Sequence, residues 1–292
     1  MLFQFHTIGI IGLQKNPLVT KTIQHIQEKL FEHNLTTIVE NQTAKKLINK
    51  NSFIIQGLTE IAKLVDLVVI VGGDGFFLKT SKALSMLRKN IPIVGINRGK
   101  LGFLASINPN QIGDVLLSIL QGSYIPEQRF LLQAQVNKKI LHALNDIVIT
   151  TRKYNKLFHM QVKINGEYAF DQRSDGIIIA TPTGSTAHSL SAGGPILDPK
   201  LNGIVLVPIF SHSLNNRPII VNSGSNIDIT IGSYNLPRPM LIFDGHRKLE
   251  LRAKDTIKIY RSKKEIKILY PSNYDYFYLL RKKLNWGTML FT

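Results

Sequence analysis

The sequence predicts an α/β protein in two parts, a Rossmann-like parallel-sheet half followed by a mostly antiparallel β half. Three observations carry this. Over the first hundred residues, apolar runs with no polar alternation, such as VDLVVIV (65–71), are separated by segments of helical period. Strands buried on both faces with helices between them form parallel sheets covered on both sides. Beyond about residue 125 the runs shorten and alternate, and MQVKINGEYAF (160–170) carries an Asn-Gly turn between two of them. With 292 residues, the chain is long enough for one or two domains, each with its own core.

Each element has a local reason. HTIGIIG (6–12) is an apolar run closed by Gly12, and predicts the first strand. Val19, Ile23, Ile26 and Leu30 then recur at helical spacing until Asn34. LTTIVE (35–40), VDLVVIV and IPIVGIN (91–97) read as further strands. Leu78, Leu84 and Leu87 mark a helix between the last two, and Ile112, Val115, Leu116 and Ile119 mark another that Gly122 stops. NIDITIG (226–232), MLIFDG (240–245), DTIKIYR (255–261) and EIKILY (265–270) continue the β pattern. RSKKEIK (261–267) reads as a solvated hairpin with alternating Ile inward, and NYDYFYLLRKKLNW (273–286) as a return to helix. There is no internal repeat and no low-complexity linker. The expected division is 1–122 as the α/β domain, 123–268 as the β-rich domain and 269–292 as a C-terminal segment.

Composition narrows the function classes. Zero cysteines exclude disulfides, thiolate metal sites and cysteine nucleophiles. No apolar run reaches the ~18 residues a membrane span needs. The start, MLFQFHTIGIIGL, lacks the basic region and small-residue cleavage site of a signal peptide, so a cytoplasmic protein without a membrane partner is expected. A net charge of +17 suits nucleic acid or small polyanions such as nucleotides. The lysines are scattered over many segments and no nucleic-acid motif accompanies them, so no nucleic-acid partner is expected.

VVIVGGDGFFL (68–78) ends a buried strand on three glycines around one carboxylate. Glycines let backbone N–H groups approach a phosphate oxygen, and the following helix N-terminus adds its positive dipole end. Asp74 would repel a phosphate there unless it accepts a substrate hydroxyl proton or holds a divalent cation. The bland alternative is that Asp74 caps the next helix. Classical loops are absent. The GxGxxG frame starting at Gly73 meets Leu78 at its sixth position, and in GINRGKL (95–101) the glycines are too close for a Walker loop.

RSDGIIIATPTGSTAHSLSAGGPI (173–196) is the second feature. A buried strand delivers a loop crowded with hydroxyls and glycines, which suits ribose, phosphate and base edges better than a single cap does. Arg173 and Asp175 precede it, as a surface pair or as ligand-orienting groups. The third is ALNDIVIT (143–150), where Asn145-Asp146 alone is a common turn. His188 and His246 are unremarkable alone, and no His/Asp/Glu cluster has the spacing of a structural metal site.

Together, VVIVGGDG, GINRGKLGFL, ALNDIVI, QRSDGIIIATPTGSTA, SLSAGGPI and NYDYFYLLRKKLNW resemble segments of the bacterial-type ATP-NAD kinase family over nearly the whole chain. TPTGSTA with SAGGP is the specific part, since GGDG alone is shared with lipid kinases and phosphofructokinases. The resemblance implies transfer of the γ-phosphoryl of ATP to the adenosine-ribose 2′-hydroxyl of NAD, with a divalent cation such as Mg2+. It implies an α/β domain plus a β-sandwich domain, a C-terminal segment that returns to the first, and a homotetramer or homodimer. By the same resemblance Asp74 is catalytic with Gly75 beside the ligand, and Asn145 and Asp146 hold a ribose. Arg173 and Asp175 match the family's Arg-x-Asp. Thr186, Ala187, His188, Ser189, Leu190 and Ser191 match the loop around the dinucleotide, His246 a polar contact, and Lys156 a looser position.

Two departures stand out. Phe76 follows GGDG where the family has a small or polar residue, and His188 replaces a usual Tyr, which reduces aromatic area but keeps a stacking, hydrogen-bonding ring. Two competing readings differ in class. A GGDG-type lipid or sugar kinase leaves the 181–195 loop unexplained, and a non-catalytic dinucleotide-binding regulator has only Phe76 in its favour.

Overall fold

The computed structural model describes residues 2–13, 16–45, 47, 54–88, 90–99, 102–151, 157–211, 215–233 and 238–287. The chain divides into two compact units, Met1–Gln128 with Ile266–Thr292, and Arg129–Glu265.

The first unit begins β1 (Thr7–Gly12), α1 (Pro17–Glu32), β2 (Thr36–Glu40), α2 (Asn41–Ala44), β3 (Ile54–Gln56) and α3 (Leu58–Leu64). It continues β4 (Leu67–Gly72), α4 (Asp74–Leu87), β5 (Pro92–Asn97) and α5 (Ile112–Leu120), from which β6 (Tyr124–Val136) leads out. The strands lie in the order β3-β2-β1-β4-β5, all parallel. Every residue from Leu67 to Val71 is 0% exposed, which is why this strand needs no polar alternation. α1 starts where Asn16 accepts the Leu18 N–H and Pro17 supplies the fixed φ of a first helical residue. Its Val19, Ile23, Ile26 and Leu30 bury one stripe against Val69, Val71, Val94 and Ile96 of the sheet and Ile112, Leu116 and Ile119 of α5. Each such side chain contributes roughly 1.5–3 kcal/mol on burial. Gly122, at φ +98°, ends the α5 turn as its residue type requires. β3 and α3 are short elements for which the sequence offered no reading.

The second unit carries β7 (Lys139–Ala143), β8 (Asp146–Thr150), β9 (Phe158–Ile164), β10 (Glu167–Ala180), α6 (His188–Ser191), β11 (Gly203–Ser211) and β12 (Ile219–Asn222). β13 (Ile227–Ile231), β14 (Met240–Phe243), β15 (Arg247–Glu250) and β16 (Thr256–Pro271) follow. Pairing here is antiparallel, in the order β15-β14-β8-β10-β9-β13-β16, with β11 also on β10 and β12 on β11. The β9–β10 hairpin turns at Asn165 (φ +54°) and Gly166 (φ +85°), the conformation for which Asn-Gly is selected. Ile177 and Ile179 face one core while Ile178 and Ala180 face another, so this strand too is buried on both sides.

One expectation is corrected. RSKKEIK is not a hairpin but the middle of β16, a single strand from Thr256 to Pro271. Nothing in it supplies the positive φ that a tight turn needs, and the alternating isoleucines simply run on. Ile257 and Ile259 lie opposite β13, and Lys267 and Ile268 run parallel to β5 in the first unit. The last element, α7 (Tyr276–Leu284), is the expected helix, capped by Asp275 accepting the Tyr278 N–H. It belongs to the first unit.

Candidate functional site

In the first unit, β4 ends at Gly72 and α4 begins at Asp74, with Gly73 as an extended N-cap. Side chains built on Gly73 or Gly75 would meet nothing within 4 Å, so the backbone over the helix start is open. Asp74 does not cap this helix. Its carboxylate turns aside and accepts N–H groups of Phe103 (2.6 Å), Leu104 (3.2 Å) and Ala105 (3.1 Å). A Cβ on Gly102 would lie 1.7 Å from Asp74 Oδ1, so only glycine allows this approach. Lys283 of α7 brings its ammonium to 3.9 Å from Asp74 Oδ2 and 4.7 Å above the Phe103 ring. The carboxylate is therefore fixed in direction yet 31% exposed. Opposite Gly72 across the β4–β5 ladder, Asn97 is 4% exposed and its Oδ1 has no partner among the described residues.

In the second unit the Asn145-Asp146 turn is held from two sides. Asp244, at φ +47°, accepts backbone N–H groups of Leu144 (3.1 Å), Asn145 (2.8 Å) and Asp146 (3.3 Å). Bonds to a carboxylate are roughly twice as strong as neutral ones. Thr181 donates its hydroxyl to the Leu144 carbonyl (2.6 Å) and its N–H to the Asn145 carbonyl (2.9 Å). At Gly184 a Cβ would stand 2.1 Å from that same carbonyl. With the backbone so fixed, the Asn145 side-chain oxygen is left buried with no partner among the described residues. Buried acceptors of this kind call for a ligand or a water.

The hydroxyl-rich loop divides by task. Thr181 and Ser185 are buried and spend their hydroxyls on the loop, Ser185 donating to the Pro182 carbonyl (2.7 Å) and accepting the Leu197 N–H (3.0 Å). Ser189 is fully buried, and its hydroxyl has no partner among the described residues. Thr186, Ala187 and Leu190 are half-buried, and His188 and Ser191 are exposed. Arg173 and Asp175 project from the same face of β10, alternating with buried Gln172 and Ser174. His246 is exposed in the turn after β14, with its Nδ1 against the Asp244 carbonyl. Lys156 lies outside the described residues. Sequence reasoning missed Gly102–Ala105, Lys283, Thr181 and Asp244. Gly102 in LGFL and Asp244 in FDGH were the available signals. Among the described residues, no group of three or more His, Asp or Glu could hold a metal ion.

An open glycine turn with an oriented carboxylate, on a parallel-sheet unit joined to a β-rich unit, suits the class of phosphotransferases. Two family models match, one described as the ATP-NAD kinase N-terminal domain over residues 8–124 and one as the C-terminal domain over residues 144–270. The chain is 42% identical over 301 residues to an NAD kinase of Francisella tularensis subsp. novicida, covering 100% of both chains. It is 39% identical to one of Nitrosococcus oceani, covering 98% of each. Among solved structures, yeast NADH kinase complexed with NADH superposes with a TM-score of 0.86 at 25% identity, covering 98% of this chain and 89% of that one. An NAD kinase from Archaeoglobus fulgidus in complex with ATP gives 0.74 at 25%, covering 96% and 98%. The chain belongs to the ATP-NAD kinase family, whose activity is phosphoryl transfer from ATP to NAD.

Proposed function

We propose that Asp74 is the general base of an NAD kinase, taking the proton of the adenosine-ribose 2′-hydroxyl as that oxygen attacks the γ-phosphorus of ATP. The bond from the γ-phosphorus to the β–γ bridging oxygen breaks, ADP leaves, and NADP forms. Such a transfer depends mainly on positioning and charge neutralisation, so few side chains are needed. The observation that carries the assignment is the Asp74 carboxylate, withdrawn from helix capping and aimed by three backbone N–H groups beside an open turn. The N–H groups at the start of α4, with Gly75 among them, suit a phosphate.

Asn145, whose side-chain oxygen has no partner among the described residues, and Asp146 hold a ribose in this reading. Thr186–Ser191, Arg173, Asp175 and His246 contact the dinucleotide, as does Lys156. With no cluster of three metal-binding side chains among the described residues, the residues present suit a divalent cation that arrives on the ATP phosphates better than one caged by protein. Mg2+ bound that way supplies charge neutralisation to the triphosphate. A homotetramer or homodimer is proposed as well, to be measured by light scattering.

The test is NADP formation from NAD, ATP and magnesium, read through a dehydrogenase that accepts only the phosphorylated product. Asp74→Asn should keep NAD binding and lose ~100-fold or more in turnover, the scale of a positioned base. Turnover near wild type in that variant would overturn the assignment.

A further inference from the structure

One cavity in the first unit lies away from every residue assigned above. It measures about 380 Å³ and is lined by Gln27, Glu28 and Phe31 of α1 together with Leu35, Thr37 and Ile54. We propose that it is a binding site for a planar aromatic carboxamide that carries no negative charge. The proposal is independent of the kinase reading.

Position separates this cavity from the glycine turn. α1 carries the chain from the carboxyl end of β1 back to the start of β2, so the second half of the helix lies beside the strand starts. Leu35 and Thr37 border the start of β2, and Ile54 opens β3, the outer strand of the parallel set. Asp74 follows the opposite, carboxyl end of β4, and the 6 residues of that strand alone span roughly 20 Å.

Gln27 is the observation that points to a ligand. It stands in the buried stripe of α1, between Ile23 and Leu30, where an apolar side chain would pack. Gln27 is 8% exposed, and neither Nε2 nor Oε1 of its amide has a partner among the described residues. A buried amide with neither bond made works against folding and calls for a partner. A second carboxamide is the matching group, because each amide then donates an N–H and accepts through its oxygen.

The other walls select the rest of the molecule. Phe31 follows Gln27 by one helical turn, so the two lie on the same face of α1. Phe31 is 84% exposed and Ile54 50%, an apolar surface beside the amide that suits an aromatic ring. Among the described lining residues the charge is that of Glu28, and the neighbouring Lys29 is engaged by Glu32 at 2.8 Å. A carboxylate in the wall repels anions and attracts a pyridinium-type cation. Thr37 brings a hydroxyl for a sugar. The volume falls within the ~300–1,000 Å³ of small-molecule sites. Nicotinamide riboside, a cationic aromatic carboxamide with one sugar, combines these features and serves as the probe.

The test is a saturation-transfer NMR titration with nicotinamide riboside, run in saturating NAD to keep the substrate site occupied. Wild type should bind with a Kd on the order of 1 mM or tighter. Nicotinic acid riboside, with a carboxylate in place of the amide, should bind at least about 10-fold more weakly. Gln27→Leu should lose about 10-fold or more in affinity for the amide, with NADP formation unchanged and the melting temperature equal or higher. No binding to wild type at about 10 mM, equal affinity for the two ribosides, or undiminished affinity in Gln27→Leu would overturn the proposal. Should Gln27→Leu not fold, Phe31→Ser at the exposed ring should weaken binding about 3-fold or more, and unchanged affinity there overturns it equally. A chain that binds the riboside as expected but makes no NADP would overturn the kinase reading and leave this site standing.

Discussion

Lys283 Nζ stands 3.9 Å from Asp74 Oδ2, so a helix from the end of the chain delivers a cation to the carboxylate that opens α4. The two side chains are 27% and 31% exposed, and a pair this wet contributes about 0–1 kcal/mol to stability. Its consequence belongs to the proposed reaction: with Asp74 as the base, a cation this close to it is also close to the phosphoryl being transferred. Lys283→Met should lower kcat by about 10-fold or more and leave the melting temperature nearly unchanged. Lys283→Arg should restore part of the rate. A large loss of stability with kcat intact would assign the lysine to folding instead.

Gly102 should prove as necessary as Asp74. The Cβ of Gly102→Ala would lie 1.7 Å from Oδ1 and 2.4 Å from Cγ of Asp74, so the carboxylate must leave its three N–H donors. The expected rate loss is within about 10-fold of that for Asp74→Asn. Overpacking of this kind costs about 1–3 kcal/mol, measurable by urea unfolding.

Asp244 should control the affinity for NAD without touching it. Asp244→Ala strands three backbone N–H groups of the 144–146 turn, at about 1–3 kcal/mol for each one left buried without an acceptor. The KM for NAD should rise by about 10-fold or more, with the KM for ATP much less affected. Asp244→Asn, which keeps one acceptor oxygen, should fall between the two in both affinity and urea midpoint.

Chelation offers a fourth check. EDTA should stop NADP formation completely and leave the melting temperature where it was, because no caging cluster exists among the described residues. A fall in melting temperature on chelation would reveal a structural ion.

Much of the fold is legible from period alone. Leu67–Val71 reads as a doubly buried strand because no polar residue interrupts it, and Asn165-Gly166 announces its hairpin because few other pairs adopt two positive φ values. The site is less legible where backbone does the holding. The donors to Asp74 are N–H groups of Phe103, Leu104 and Ala105, which any residue but proline could supply, so only Gly102 marks the segment. Asp244 acts on a turn about a hundred positions earlier, a separation that no local pattern in FDGH encodes. RSKKEIK misled because its charges imitate a solvated turn, although none of its residues can make one cheaply.

The first unit is interrupted in sequence by the second, and its closing stretch begins only at Ile266. On the ribosome, therefore, Asp74 precedes the strand residues beside β5 and Lys283 by the whole of the second unit. Nascent chains that stop short of α7 lack the ammonium beside Asp74, so this ion pair can form only after the second unit has been synthesised.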